Sequence, residues 1–297
     1  MRVVSLLPAA TEIVAALGEA SLLVGISHEC DFPPFIRHLP RVTTTPVDVR
    51  ASGLEIDREV RRLCDAGTPV VVVDAAQLRR LAPDLILTQG LCEVCAIDDG
   101  QINQLADSLH PRPSVLSLRA QNLNGIWDDV RNVGSALGLD DEAEELILGL
   151  ESRLARLRGL RLDPIKRVLC IEWLEPLYLA GHWVPELVAA AGGIDVGAAP
   201  GTPSSQREWE ELSGLRPDHI LVALCGFGLE RTRAELELLT NPAALELMGR
   251  VPTWIIDGNA YTSRPGPRTV DGAARIASAL RGLPLSGIEQ WQPARVC

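Results

Sequence analysis

Residues 140–161 read DDEAEELILGLESRLARLRGLR. Acidic residues open this segment, arginines close it, and leucines recur at positions 146, 150, 154 and 157. Leucines three or four positions apart share one face of an α-helix, and the charges at each end suit the helix dipole. The segment therefore predicts one amphipathic helix about 30 Å long, enough to join two lobes rigidly.

Before this helix, short apolar runs alternate with helical patterns. Helical spacing is expected over 54–63 and 75–81, and Thr11 is expected to be the N-cap of a first helix. The apolar runs are rich in branched residues and too short for helices, as is typical of buried strands. They lie at 3–7, 22–26, 70–73, 85–88 and 114–118. Such alternation predicts a parallel sheet with helices on its faces.

The same alternation resumes after the helix, with strands expected at 167–173, 219–224 and 253–257. QLRRLAPDLIL (77–87) also aligns with ELSGLRPDHIL (211–221), so the two halves resemble each other. We therefore predict two Rossmann-like α/β lobes, 1–138 and 163–297, joined by a rigid linking helix at 139–162. A ligand cleft is expected between the lobes.

Charge and hydropathy exclude several kinds of partner. The net charge is −11 with a pI near 5.0, and this acidity argues against binding nucleic acid or an anionic membrane surface. No apolar run approaches the roughly 20 residues of a membrane span. Pro8 and Thr11-Glu12 interrupt the apolar start, so an export signal is not expected. A cytoplasmic location follows as the expectation.

In parallel sheets ligands bind beyond the carboxyl ends of the strands, where helix N-termini also point. The tryptophans have flat rings that suit a large planar ligand, although they would serve equally as core. An arginine there would hold a carboxylate or phosphate of the ligand, or pair with the protein's own acidic surface. The candidate ligand-binding residues are Pro8, Thr11, His28, Glu29, Trp173, Trp183, Phe227 and Arg268.

Four of the seven cysteines follow predicted strands: Cys30, Cys92, Cys95 and Cys225. Cys92-x-x-Cys95 has the spacing that lets two thiolates grip one metal or cluster, and the other two would complete a four-sulfur site. An iron–sulfur cluster or zinc is therefore one hypothesis. The other is that single cysteines act as small, buried apolar residues.

Several segments resemble a known family from Met1 to about Leu280. They are SLLPAATEIVAALG, LVGISHECDFP, LRRLAPDLILTQ, the long central helix, and the run from Ala180 to Gly193 that begins AGHWVPEL. Together they are similar to the cobalamin and iron-siderophore substrate-binding proteins of ABC importers. This resemblance implies two α/β lobes joined by a rigid helix, a corrinoid, haem or iron chelate as ligand, and no catalysis. HECDFP, LCEVCA and CGFG resemble a cysteine-bearing, intracellular branch.

The leading hypothesis is an intracellular protein that holds a corrinoid (cobalamin) or another metal-containing cofactor between its lobes, with the cysteines near the metal. Without export, docking to a membrane transporter is not expected. One alternative is a metalloenzyme with zinc or an iron–sulfur cluster on the four cysteines. Another is an importer's substrate-binding component whose signal peptide has been missed.

Overall fold

The computed structural model describes residues 1–90, 99–160 and 162–293. They divide into two compact units, each built from strands and helices. Unit 1 comprises Met1–Ala51, Glu55–Ala120 and Asn124–Gly149, and unit 2 comprises Ser52–Leu54, Gln121–Leu123 and the residues from Leu150 onward. The lobe boundaries at 138 and 163 stay a prediction. No helix within the described ranges has both the length and the apolar character needed to cross a membrane.

Unit 1 contains a parallel sheet in the order β2-β1-β5-β6 and a separate antiparallel pair, β3 with β4. Its strands are β1 (Val3–Ser5), β2 (Leu23–Ile26), β3 (Thr43–Thr44), β4 (Val72–Val73), β5 (Leu85–Gln89) and β6 (Ser114–Leu118). Val4 and Ile86, adjacent in register, are fully buried at the centre of the apolar core. The sheet is parallel, as the alternation of strands and helices predicts.

The run at 70–73 does not join this sheet. Only β4 forms there, and it pairs antiparallel with β3 rather than parallel with a core strand. Val72 is exposed, and Val71 and Val73 are only half-buried where they pack against the rim of the apolar core. The expectation of a buried strand is wrong because four consecutive valines signal strand propensity but do not specify burial.

The helices of unit 1 begin where local chemistry favours them. They are α1 (Pro8–Ala16), α2 (Gly53–Asp65, whose first two residues belong to unit 2), α3 (Ala75–Leu81), α4 (Asp99–Asp107) and α5 (Leu123–Leu137, whose first residue belongs to unit 2). α1 begins at Pro8 with Leu7 as its N-cap, so the prediction that Thr11 is the N-cap is wrong. Proline is favoured at the first helical position because it has no N–H to leave unpaired.

Unit 2 contains a mixed sheet in the order β10-β8-β7-β11-β12-β13, with β9 also paired to β7. The strands are β7 (Lys166–Leu174), β8 (Leu177–Leu179), β9 (Gly193–Asp195), β10 (Ser205–Gln206), β11 (His219–Val222), β12 (Thr253–Ile256) and β13 (Ile288–Trp291). β7, β11 and β12 run parallel, whereas β8 and β13 are antiparallel to their neighbours. The predicted strands thus form the centre of this sheet.

The long helix predicted at 140–161 is α6 (Asp140–Gly159), and the division between the units falls within it. The remaining helices of unit 2 are α7 (Val184–Ala190), α8 (Trp209–Leu212), α9 (Leu229–Leu238), α10 (Pro242–Arg250), α11 (Gly258–Tyr261) and α12 (Thr269–Ala279). At Gly258 a Cβ atom would collide with the Leu224 carbonyl oxygen. Glycine therefore lets α11 pass close to the chain leaving β11, beside the carboxyl ends of the parallel strands.

Candidate ligand-binding residues at the strand ends

The loop after β2 in unit 1 is held by the hydroxyl of Thr43. The His28 backbone N–H donates to Thr43 Oγ1 at 2.9 Å, and His28 Nδ1 lies 2.7 Å from the same oxygen. Burial lowers the pKa of His28 from its ordinary value, Glu29 opposes this shift, and Arg41 adds to it. The loop therefore presents a half-buried, neutral imidazole at pH 7, followed by the exposed carboxylate of Glu29.

Thr11 and Cys30 meet inside unit 1. Thr11 Oγ1 lies 3.1 Å from Cys30 Sγ and donates to Ser5 Oγ at 2.8 Å. Thr11 is fully buried, Cys30 is only 1% exposed, and Pro8 lies half-buried at the start of the same helix. Thr11 and Cys30 thus join β1, α1 and the loop after β2 into one packed corner, out of reach of a ligand in this conformation.

Of the other three predicted metal ligands, Cys225 alone falls among the described residues. Cys225 is an exposed residue of unit 2, and Cys92 and Cys95 fall outside the described residues. Across the described part of the chain, no group of three or more His, Cys, Asp or Glu side chains is placed to hold a metal ion. A cluster or zinc on these cysteines has no support here.

Trp173 and Phe227 come together at the carboxyl ends of β7 and β11 in unit 2. Their ring centroids are 5.2 Å apart with the planes inclined by 51°. The guanidinium of Arg231 lies 4.7 Å from the centroid of the Phe227 ring. Phe227 is buried between these partners, whereas Trp173 is half-buried. Of the two rings, Trp173 therefore has the more accessible surface, and Phe227 packs against it.

A cavity of about 120 Å³ adjoins this aromatic pair. Its wall includes Glu235, whose Oε1 accepts hydrogen bonds from Arg231 and whose Oε2 accepts the N–H of Gly53 at 2.9 Å. Leu224, Leu238 and Leu239 supply apolar surface. The cavity can thus receive a small apolar group beside one fixed carboxylate.

Trp183 and Arg268 occupy other places in unit 2. Trp183 is buried, and its indole N–H donates to the Thr262 carbonyl at 2.8 Å. Arg268 is the N-cap residue of α12, half-buried, with its guanidinium 5.8 Å from the Tyr261 ring centroid. The indole of Trp183 contributes to packing in this structure, and a ligand contact by either residue stays a prediction.

Sequence reasoning missed three features near the strand ends. Phe32 and Phe35 are exposed in the segment after the β2 loop, and Phe35 is 64% exposed. The sequence did hold a signal for these two residues, because aromatic residues make up only 4% of the chain and two of them occur here. Glu235 and the segment Ser52–Leu54 carried no signal, because they are about 180 positions apart and only folding brings them together.

Known proteins are similar to this chain in sequence and in fold. A family model described as periplasmic binding protein matches residues 3–247. The chain belongs to the periplasmic binding protein family. A vitamin B12-binding protein of Vibrio cholerae is 22% identical over 287 residues, which cover 94% of this chain and 89% of that protein.

Two solved structures share the fold. One is a periplasmic haem-binding protein from Pseudomonas aeruginosa, with a TM-score of 0.71, 21% identity and coverage of 100% of this chain and 99% of that one. The other is an ABC transporter substrate-binding protein from Listeria monocytogenes, with a TM-score of 0.67, 18% identity and coverage of 94% and 97%. The predicted α/β fold with two lobes is confirmed.

The family assignment corrects two expectations. The cytoplasmic location is wrong, because this is a family of periplasmic binding proteins. The expectation that transporter docking is unlikely rested on the cytoplasmic location, and it is wrong for the same reason. The narrower resemblance to a cysteine-bearing intracellular branch is not shown by these comparisons.

Proposed function

We propose that this chain is the substrate-binding component of an ABC importer and that its ligand is a metal-containing tetrapyrrole, a corrinoid or haem. Membership of the periplasmic binding protein family over residues 3–247 carries the proposal. The ligand class comes from a relative that binds vitamin B12 and a structural neighbour that binds haem. On this proposal the protein works outside the cytoplasmic membrane and passes its ligand to a membrane transporter.

The chemistry at the end of β7 supports a flat ligand. Trp173 offers a half-buried indole, and Phe227 with Arg231 holds it in position. A tetrapyrrole has a large apolar face that stacks favourably on such a ring. The ring nitrogens already ligate the metal, so binding needs no cluster of cysteines, in keeping with the burial of Cys30.

The direct test is an absorbance titration of the purified protein with cyanocobalamin and, separately, with hemin. Saturable binding of one of them at one site supports the proposal and identifies the tetrapyrrole. Failure of both ligands to bind in the micromolar range would contradict it. An iron chelate that binds instead would keep the importer role and exclude the tetrapyrrole.

Replacing the stacking ring tests the position of the ligand. Trp173→Ala should weaken binding roughly tenfold or more, because one aromatic stacking contact and its buried area are lost. Trp291→Ala is the matched control, since Trp291 is also half-buried in unit 2 but pairs with Thr253 at the opposite, amino end of β12. Equal affinity of both variants and the wild type would remove Trp173 from the site.

A further inference from the structure

A short piece of chain lies against the tryptophan that the proposed function assigns to the ligand. We call Ser52–Leu54 the strap; it belongs to unit 2 and lines the cavity beside Trp173. A Cβ atom built on Gly53 would lie 3.5 Å from Trp173 Cζ2 and 3.1 Å from Glu235 Oε2. The strap therefore lies close beside the indole of Trp173, and a side chain at position 53 would be tight against the Glu235 carboxylate.

Glu235 anchors the strap. Its carboxylate accepts the Gly53 N–H through Oε2 and is fixed through Oε1 by Arg231 on the preceding turn of α9. The Glu235 side chain is only 10% exposed. A hydrogen bond to a charged acceptor is stronger than a neutral one, and low exposure protects it from competition by water. One buried carboxylate thus ties the strap to the helix that also carries Arg231.

The size of the cavity sets what can enter while the strap is in place. Pockets for cofactor-sized ligands usually measure about 300–1,000 Å³. The cavity that the strap lines measures about 120 Å³, enough for a few waters or one small ring. A tetrapyrrole therefore cannot enter the cavity on this side of Trp173 until the strap leaves.

We propose that the strap is an autoinhibitory latch, which covers the Trp173 surface in the ligand-free protein and which the tetrapyrrole displaces on binding. The proposal rests on the proposed function, because it regulates the same site. A protein held mostly in the latched state binds with an apparent affinity reduced by the fraction that is open. Weakening the Gly53–Glu235 hydrogen bond should therefore tighten binding, whereas loss of an ordinary ligand contact would weaken it.

The first test compares Glu235→Gln with the wild type. The amide keeps the shape of the side chain but has a single acceptor oxygen, so it cannot satisfy both Gly53 and Arg231. We expect hydrogen exchange of the peptide covering 51–55 to become about tenfold faster in ligand-free protein, and the Kd for the tetrapyrrole to fall roughly tenfold. Glu237→Gln is the control, because Glu237 is exposed on the same helix.

A second variant removes the donor rather than the acceptor. Gly53 is the first residue of α2, a position that tolerates proline, and Gly53→Pro has no N–H to donate. The proline ring also crowds Glu235 Oε2, which lies 3.1 Å from the Cβ position of residue 53, so Gly53→Pro pushes the strap away from the carboxylate as well as removing the donor. The latch predicts the same gain in affinity from Gly53→Pro, in a variant that keeps the charge of Glu235. Agreement of the two variants shows that the hydrogen bond is responsible, rather than the charge of Glu235.

The outcomes separate this inference from the proposed function. Tighter binding by both variants than by the wild type supports the latch. Faster exchange with unchanged or weaker binding overturns the latch but leaves a wild type that binds a tetrapyrrole, so the function stands. Absence of binding in the wild type and in every variant overturns both.

Discussion

Asp195, the last residue of β9, is a partly buried carboxylate with a perturbed proton affinity. Its Oδ1 accepts the N–H groups of Gly197 at 2.8 Å and Ala198 at 3.1 Å. Burial raises the pKa of Asp195 from 3.8 to about 6, although those two hydrogen bonds act in the opposite direction. Desolvation therefore outweighs hydrogen bonding at this residue.

Because its pKa is higher in the folded than in the unfolded protein, Asp195 makes stability depend on pH. The folded state binds the proton more tightly, so stability declines as pH rises from about 4 to about 6 and the full cost is present above that range. A shift of about two pH units corresponds to about 3 kcal/mol. Asp195→Asn keeps an acceptor for Gly197 and cannot ionise, so it should be more stable at pH 7.5 by up to that amount.

Urea unfolding at pH 4 and at pH 7.5 checks this expectation. The gain of Asp195→Asn should be largest at pH 7.5 and nearly absent at pH 4. Asp218→Asn is the comparison at an exposed aspartate of the same unit, and its amide oxygen still provides an acceptor for the Arg167 N–H. An Asp195→Asn variant that loses more stability at pH 7.5 than at pH 4 would show that the charged carboxylate stabilises the fold, and would contradict this expectation.

Residue chemistry alone could place some members of the candidate site but not their contacts. Trp173 and His28 follow apolar runs, so the rule that ligands bind at carboxyl ends singled them out. The same rule also selected Thr11, which faces inward because α1 begins three residues earlier, at Pro8. The Glu235–Gly53 hydrogen bond was beyond prediction, since no local pattern records a contact between residues so distant in sequence.

At the scale of the element, α3 has a well-defined start. Asp74 is its N-cap, and Asp74 Oδ1 accepts the Gln77 N–H at 2.8 Å. Such a bond satisfies one of the four free N–H groups of a helix N-terminus, and the negative charge suits the helix dipole. Asp74→Ala should therefore lower the free energy of unfolding by about 1 kcal/mol.

Asp65→Ala is the matched control for this cap. Asp65 is the exposed last residue of α2, where a negative charge opposes the helix dipole. Its removal should be neutral or slightly stabilising. Chemical denaturation followed by circular dichroism measures both variants, and an equal loss in the two would mean that helix position has no influence on the effect.

The elements that sequence patterns predicted are those that bury most apolar surface. β5, β7, β11 and β12 lie within their expected apolar runs or within one residue of them, because a central parallel strand needs a continuous apolar run. The other strands of unit 2 are the antiparallel β8, β10 and β13 and the parallel β9, and they are two to four residues long. So few residues show no periodicity, and their pairing depends on the strands already in place.

At the scale of the whole molecule, the two units differ in the strands that form the edges of their sheets. Unit 1 has an all-parallel sheet of four strands that ends at β2 and β6. In unit 2 the parallel strands β7, β11 and β12 are flanked by antiparallel ones, and β13 covers the outer side of β12. The core strand β12 is buried along its whole length as a result.

Pairing with β13 is also what keeps β12 from acting as a template for other molecules. Exposed main-chain donors and acceptors on an apolar strand recruit strands from neighbouring chains. Successive strand residues alternate in facing their partner, so Glu289→Pro combined with Gln290→Pro removes at least one ladder N–H. Light scattering on mild heating should show aggregation of this double variant earlier than for Gln292→Pro, which lies just beyond the strand. Equal onset temperatures of aggregation in the two variants would mean that the four residues of β13 do not contribute to the colloidal stability of the protein.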